Sequence, residues 1–463
     1  MVKARTGARS LRAATSDTGS QSESSKGPVR IGRVVAVSLA AGFVVAVGLV
    51  FAPFVPVKEN VFTGVMLLGF AIGWGLLAGS SIRLSDQPQR WAMVPAAFMA
   101  IAGVIVLIGP HVLVEDVLSW VWPPALLALV IWTYVHAKRQ LHSRTRVFLI
   151  SPVLAVLLVV SIGGVYERIG RSVDPSLSAM RGQLVDVGGY RLHIECTGSG
   201  GPTVVLEPGA GGMSAAMGLI TPAVARDTRV CVYDRAGRGW SDAAANAPDG
   251  AQIAKDLHAL LRGAHIPGPY VLAGHSFGGL YVMSFAAQFP RDVAGMVIVD
   301  STEPNYTKMS PTSAGAPKIL RRISTMASTT SRLGLGRLLG RVSYSNLPTR
   351  DLEDVRASSA RASDMVSVLE EYVVGGASAR DAGELATLGG KPLVVLTAGR
   401  GSAVGWGAAQ DKIASLSTNA RHRVVADAAH ADFVDNPRDA AVVSRSIRDV
   451  VVAVRTSKPL GGR

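Results

Sequence analysis

The sequence predicts a multi-span α-helical membrane domain followed by an α/β domain built on a mostly parallel sheet, and three observations carry that prediction. Five uncharged apolar runs, at residues 34–55, 61–82, 91–109, 117–135 and 147–166, fill the first third of the chain. From residue 183 onward, runs rich in Val, Ile and Leu alternate with amphipathic helical patterns, as expected for buried strands with helices on both faces of a sheet. Only 17% of the 463 residues are charged while 48% are hydrophobic, so much of the chain must avoid water.

Residues 1–30 are rich in Ser, Gly, Ala, Thr, Lys and Arg and nearly devoid of large apolar side chains. They are expected to form a disordered basic tail. Each of the five runs is long enough, at about 1.5 Å per residue, to cross a hydrocarbon core roughly 30 Å thick. The first run follows a long tail and lacks an A-x-A-like cleavage site, so it is expected to remain as a span rather than leave as a signal peptide. Gly69/Gly73 and Gly75/Gly79 are two G-x-x-x-G pairs in the second run, spacings that let helices approach closely. Pro123 and Pro124 are expected to bend the fourth.

Orientation follows from Lys and Arg in the short loops, which resist translocation. The tail carries Lys3, Arg5, Arg9, Arg12, Lys26, Arg30 and Arg33; the second loop carries Arg83 and Arg90; the fourth carries Lys138, Arg139, Arg144 and Arg146. The first loop has only Lys58, and the third, residues 110–116, has none. The N-terminus is therefore expected inside and everything after residue 166 outside the cytoplasmic membrane. The spans contain no Asp, Glu, Lys or Arg, which argues against transport or proton relay. The net charge of +14 would fit a nucleic-acid partner. However, residues 1–171 carry 16 Lys and Arg against 7 Asp and Glu, and the remainder 31 against 26. The excess sits around the spans, and no nucleic-acid partner is expected.

After a linker at 167–181, strands are expected at 183–187, 190–196, 203–207, 229–233, 270–273, 293–300, 393–397 and 422–426. Ile253, Leu257, Leu260 and Leu261 mark an amphipathic helix, and Val443, Ile447, Val450 and Val454 mark a last one. The run Tyr270-Val271-Leu272-Ala273 leads into Gly274-His275-Ser276-Phe277-Gly278, after which a helical pattern continues to Pro290. Gly-x-Ser-x-Gly between a strand and a helix is the pattern of a nucleophile elbow, a strained turn that lifts a serine hydroxyl above the sheet.

Together with that elbow, the chain from residue 183 onward resembles the α/β-hydrolase superfamily. Gly189-Tyr190-Arg191-Leu192-His193 is similar to its second-strand opening, and Leu206-Glu207-Pro208-Gly209-Ala210-Gly211-Gly212 occupies the place of its oxyanion loop. Tyr233-Asp234-Arg235-Ala236-Gly237-Arg238-Gly239-Trp240-Ser241-Asp242 matches its turn after the fourth strand. The resemblance implies an eight-stranded, mostly parallel sheet over residues 182–463, with a helical cap inserted at about 305–389. The membrane domain, residues 31–166, lies outside it.

The chemistry then follows from what a serine needs. Its hydroxyl is a poor nucleophile at neutral pH, so an imidazole must take its proton and a third group must orient that imidazole. Ser276 is the candidate nucleophile. Of His193, His258, His265, His275, His422 and His430, only His430 lies in the loop between the last strand and last helix, where the family keeps its base. His193 and His422 read as strand residues and His275 as packing. The resemblance further implies oxyanion donors in the backbone N–H groups of Ala210 and Phe277. Pro208 stands where the family often has a histidine, a departure that bears on the loop conformation and not on backbone donation.

The acid departs from the commoner family pattern. The stretch after the seventh strand, Thr397-Ala398-Gly399-Arg400-Gly401-Ser402, has no carboxylate before Asp411. Some members carry the acid at the end of the sixth strand, where Asp300 falls. Asp300 is the candidate, with Glu303 next and Asp411 too far past the strand.

Residues 305–350 contain Lys308, Lys318, Arg321, Arg322, Arg332, Arg337, Arg341 and Arg350 and no acid. Interleaved with Ile319, Leu320, Ile323, Met326, Leu333, Leu335, Leu338 and Leu339, they fit one or two amphipathic basic helices, either on an anionic surface or packed as a cap with a solvated basic face. Cys196 and Cys231 are the two cysteines, without metal-ligand spacing. The family strand order puts their strands side by side outside the cytoplasm, which permits a bridge, although parallel neighbours are a poor geometry for one. No phosphate loop or nucleotide fingerprint is present, and neither a cofactor nor a metal is expected.

The sequence thus leads to a membrane-anchored serine hydrolase cleaving an ester or related acyl compound, small-molecule or lipid-like, with its active site outside the cytoplasmic membrane. Acyl transfer on the same scaffold is the alternative among enzymes, and a catalytically silent ligand-binding receptor the alternative from another class. Intact Ser276 and His430 speak against the receptor, while the missing acid after the seventh strand speaks for it.

Overall fold

The computed structural model describes residues 31–85, 87–109, 118–141, 144–173, 180–304, 316–331, 333–338 and 344–461. The basic tail, the third loop and residues 305–315 of the insertion lie outside the described residues. The apolar runs form helices α1 (Ile31–Phe51), α2 (Glu59–Leu84), α3 (Met93–Ile108), α4 (Leu118–Gln140) and α5 (Arg144–Val173). All five, α3 together with the 3-10 turn Arg90–Ala92 that leads into it, are long and apolar enough to cross a membrane.

The two glycine pairs of α2 behave differently. A Cβ on Gly69 would meet the Ala46 Cα at 2.5 Å and one on Gly73 the Gly42 Cα at 2.9 Å, so this pair lets α1 and α2 touch backbone to backbone; Gly75 and Gly79 face open space. Pro123 and Pro124 lie inside α4, and the Ser161 hydroxyl of α5 donates to the Pro123 carbonyl at 2.7 Å. Helix α5 continues through residue 173, so half of the stretch read as a linker is helical. The reason is its pattern: Glu167 turns back to the Arg337 guanidinium at 3.2 Å, which gives the last turns of α5 a partner beyond the apolar run.

The second region is an eight-stranded sheet of order β1-β2-β4-β3-β5-β6-β7-β8. Its strands are β1 (Gln183–Asp186), β2 (Arg191–Thr197), β3 (Val204–Glu207), β4 (Val230–Tyr233), β5 (Tyr270–His275), β6 (Val293–Val299), β7 (Leu393–Ala398) and β8 (Ala420–Val425). β1 and β2 run antiparallel to their neighbours, and the other pairs are parallel. Strand alternation splits the core in two. Val205, Leu272, Ile298 and Val395 point to one face, with Leu257 and Leu261 of α7 (Gly250–Gly263) and Phe285 of α8 (Phe277–Gln288). Val204, Leu206, Val271, Val297 and Val394 point to the other, against Val443, Ile447 and Val450.

Two local expectations are corrected. β8 starts at Ala420, two residues before the expected start, because this edge strand is polar and half exposed and its apolar signal begins only near Val424. Cys196 and Cys231 are not on parallel neighbours: β2 runs antiparallel to β4, which sets the two residues directly opposite, and a disulfide joins them.

Between β6 and β7 come α9 (Ala316–Ser331), a segment at 333–338, α10 (Thr349–Ser359) and α11 (Ala362–Ala382); the short α6 (Thr221–Val224) precedes β4. After β7 follow α12 (Trp406–Ala414), α13 (Asp432–Asp435) and α14 (Pro437–Thr456). The inserted helices pack in both directions. Arg322 of α9 donates to the carbonyls of Val50, Ala52 and Val55 at the end of α1, the last two at 2.9 and 3.1 Å. The Val50 carbonyl belongs to the last turn of α1, where the helix cannot satisfy it internally, and the other two lie in the turn that follows, where the Ala52 carbonyl also accepts from the Val55 N–H at 3.1 Å.

Candidate active site

Ser276 sits between β5 and α8 with φ 55° and ψ −125°, a strained backbone for a residue with a side chain. The turn is possible because its surroundings lack side chains: a Cβ on Gly278 would run into the carbonyl oxygens of Glu207 and Pro208. The parallel pairing of β5 with β3 and β6 then carries the hydroxyl to the C-terminal edge of the sheet. The Ser276 hydroxyl makes no hydrogen bond within the described residues. It faces a cleft of about 490 Å³ lined by Gly209, Ala210, Val368, Tyr372, His430 and Val434, among others.

His430 lies in the loop after β8, as expected. Its Nδ1 is 2.6 Å from Asp300 Oδ2. Asp300 follows β6 at φ 45° and is almost fully buried. Its Oδ1 accepts from the Trp406 indole at 2.7 Å and from the Ala398 N–H at 3.0 Å. Burial by itself would raise this carboxyl, but the bonds from His430, Trp406 and Ala398 outweigh it and hold the group below the usual carboxylate range. An ionised carboxylate only accepts, so His430 Nδ1 carries the hydrogen and Nε2 of the neutral ring keeps a lone pair.

The competing carboxylates are engaged elsewhere. Asp411 meets His422 Nδ1 at 2.7 Å, and Glu303 meets Lys412 at 2.9 Å. The other strand histidine, His193, is buried against Asp234 at 2.9 Å. His275, read as packing, does more: its Nε2 lies 3.0 Å from the His430 carbonyl oxygen, so it donates to the backbone of the residue beside it in the cleft. Burial foremost, and then the neighbouring His430, push its pKa down to about 4.

Ala210 lines the cleft with Ser276 and Phe277 follows Ser276 in the chain, and neither backbone N–H has an acceptor among the described residues. The loop at 208–212 approaches closely enough that a Cβ on Gly209 would meet the Ser276 Cβ at 3.0 Å. Pro208, the departure from the family pattern, offers its carbonyl to Arg235 at 2.9 Å. Sequence reading missed two features here: the Trp406 bond to Asp300, for which the only signal was an aromatic residue after a strand, and Glu371 of α11, which accepts from the Gly211 N–H at 2.8 Å and has no motif around it.

The sequence model of the alpha/beta hydrolase fold family matches residues 202–437, just over half of the chain and all of the strands from β3 to β8. The chain belongs to the alpha/beta hydrolase fold family. This α/β hydrolase is similar to an uncharacterized protein of Schizosaccharomyces pombe, 32% identical over 214 residues, which is 39% of this chain and 37% of that protein. It is similar over 106 residues, at 37% identity, to a candidate carbamate hydrolase of Cronobacter sakazakii, covering 22% of this chain and 38% of that one. The chain thus spans less than half the length of either relative. Among solved structures, a mutant of a candidate epoxide hydrolase from Pseudomonas aeruginosa superposes with a TM-score of 0.51 at 19% identity, covering 62% of this chain and 99% of that one. At that identity the likeness concerns the fold alone.

Proposed function

We propose that this membrane-bound α/β hydrolase is a serine hydrolase that cleaves an ester or related acyl compound through an acyl-enzyme on Ser276. The observation that carries the reading is the buried Asp300 carboxylate 2.6 Å from His430 Nδ1, on the same cleft as a serine held at the strained elbow. His430 Nε2 takes the Ser276 proton as Oγ attacks the acyl carbon, and the carbonyl oxygen acquires its negative charge between the N–H groups of Ala210 and Phe277. Collapse expels the alcohol, which leaves with the proton from His430. A water then repeats the sequence, losing its proton to His430 and releasing the acid. The free Ser276 hydroxyl is compatible with this chemistry, since catalytic hydrogen bonds often tighten only with substrate in place.

The active site is assigned to the outside of the cytoplasmic membrane. Supporting this are the Lys and Arg asymmetry of the loops and the bridged Cys196–Cys231 pair, which persists in oxidising compartments. The substrate is a small acyl compound, and a lipid-like one fits a cleft whose inserted helices rest on the ends of α1 and α5. A fluorophosphonate probe on the purified full-length protein tests the reaction class. The wild type is expected to take the label and hydrolyse short p-nitrophenyl esters, and Ser276→Ala to do neither. A wild type that does neither would refute the reading in favour of a silent receptor.

A further inference from the structure

Helix α11, part of the insertion, reaches into the loop that carries the Ala210 N–H. Glu371 Oε2 accepts from the Gly211 N–H at 2.8 Å. The same carboxylate holds Arg235, with Oε1 accepting from Nε at 3.0 Å and Oε2 from Nη2 at 3.1 Å. Arg235 in turn donates to the Pro208 carbonyl at 2.9 Å and the Gly209 carbonyl at 2.8 Å. Its Nη1 also lies 2.5 Å from Glu207 Oε1. The next carbonyl along the loop but one, that of Gly211, accepts from Arg238, whose other nitrogen donates to the Asp364 carbonyl of α11 at 2.7 Å.

This cluster is dry. Arg235 is 3% exposed, Glu371 6% and Glu207 0%. Burial works against the Arg235 charge, but Glu371 and Glu207 on either side outweigh it and keep the guanidinium ionised. Four successive peptide units of the loop, from 208–209 to 211–212, are therefore held by charged groups, and the Ala210 N–H, which belongs to the second of them, has no acceptor among the described residues. α11 also reaches the second donor. Val368 packs on Gly211, and Gly375 and Tyr372 lie against the Phe277 ring. One inserted helix thus touches Gly211, the neighbour of Ala210, and the side chain of Phe277.

We propose that Glu371, acting through Arg235 and the Gly211 N–H, is a positioning residue that aims the Ala210 N–H at the oxyanion, so that the oxyanion hole is complete only with α11 docked. This rests on the acyl-enzyme reading above. It also gives the insertion a chemical task beyond covering the cleft. Removing an oxyanion donor costs about 10²–10³ in kcat, and loosening one costs less.

The test uses the full-length protein. Glu371→Gln is expected to lower kcat on a p-nitrophenyl ester about 10- to 100-fold with KM within about threefold. Binding of a trifluoromethyl ketone, which forms a tetrahedral adduct on the serine, falls by the same factor. The matching methyl ketone binds as before. A merely structural role would move the melting temperature without separating the two ketones. Arg235→Lys is expected to resemble Glu371→Gln, and the double variant to be no worse than the worse single one, as for residues acting as a unit. Should Glu371→Gln fail to fold, Glu371→Asp keeps the charge and shortens the reach, and kcat should fall by a smaller factor.

Amide hydrogen exchange at Gly211 reads the brace without catalysis, and it should rise in either variant. Unchanged ketone discrimination together with unchanged exchange at Gly211 would overturn the proposal, as would additive effects of the two substitutions. A wild type that neither hydrolyses esters nor takes a fluorophosphonate label would instead sink the acyl-enzyme reading and, with it, the positioning role of Glu371. The exchange measurement alone would then report only on the brace.

Discussion

Asp300 and His430, 130 residues apart in sequence, share a hydrogen bond of 2.6 Å. The carboxylate reaches the imidazole because β6 ends one residue before it and the chain turns through φ 45° there, a conformation that Asp tolerates better than most side chains. Its second oxygen is taken by Trp406 and Ala398, so each carboxylate oxygen has a donor.

Asp300→Asn is accordingly expected to lower kcat by roughly 10³ to 10⁴ while leaving ligand binding nearly unchanged, because the amide cannot hold the required tautomer or stabilise the imidazolium. Glu303→Gln and Asp411→Asn should stay near wild type, as both carboxylates have other partners. Steady-state kinetics of the three variants decide it. Collapse in Glu303→Gln or Asp411→Asn with an active Asp300→Asn would mean that another carboxylate is the acid.

His275 should make the fold acid-sensitive. Its folded pKa of about 4 lies below the ordinary 6.5, so the unfolded chain takes up a proton that the native state refuses. The stability from a neutral His275 is fully present above pH 6.5 and is lost as pH falls toward 4, by about 3 kcal/mol in all. Urea unfolding in detergent at several pH values between 7 and 4 should give a flatter pH dependence for His275→Gln than for the wild type. Parallel curves would show that another group governs the acid limb.

Arg322 ties the insertion to the N-terminal helices through the carbonyls of Val50 in α1 and of Ala52 and Val55 just after it, and lies 5.6 Å from the Phe62 ring centroid of α2. Arg322→Ala removes this guanidinium from the three carbonyls and should cost about 2 kcal/mol of local stability. Limited proteolysis in detergent is expected to cut the variant between residues 305 and 349 faster than the wild type, with fluorophosphonate labelling retained. Equal cutting rates would show that this contact does not hold the insertion in place.

The sidedness is open to a direct check. A reporter active only outside the cytoplasm should be active when fused after Arg463 and silent when fused within residues 138–146. Protease added to intact spheroplasts should cut the hydrolase domain and spare the N-terminal tail. The reverse pattern would invert the assigned orientation.

Much of this protein was legible in the chain because the signals are local. Uncharged apolar runs of about twenty residues are long enough to cross a membrane, and Val- and Ile-rich runs alternating with helical spacing argue for a layered sheet. Ser276 was legible because an elbow needs glycines at fixed offsets, and His430 because a histidine in the loop after the last strand matched a recognisable pattern.

What the sequence could not decide were pairings across the fold. The sequence left three carboxylates as candidate partners of His430; in the fold Asp300 lies 2.6 Å from it, while Glu303 pairs with Lys412 and Asp411 with His422. The cysteine pair was misjudged because strand direction is a property of the sheet, and β2 turned out antiparallel to β4. Glu371 carried no signal at all: it lies 136 residues from Arg235, and only the folding of α11 over the cleft buries both charges together. Local geometry is written in neighbouring residues, whereas the partners of a buried charge are chosen by whichever distant elements the fold brings within hydrogen-bond reach.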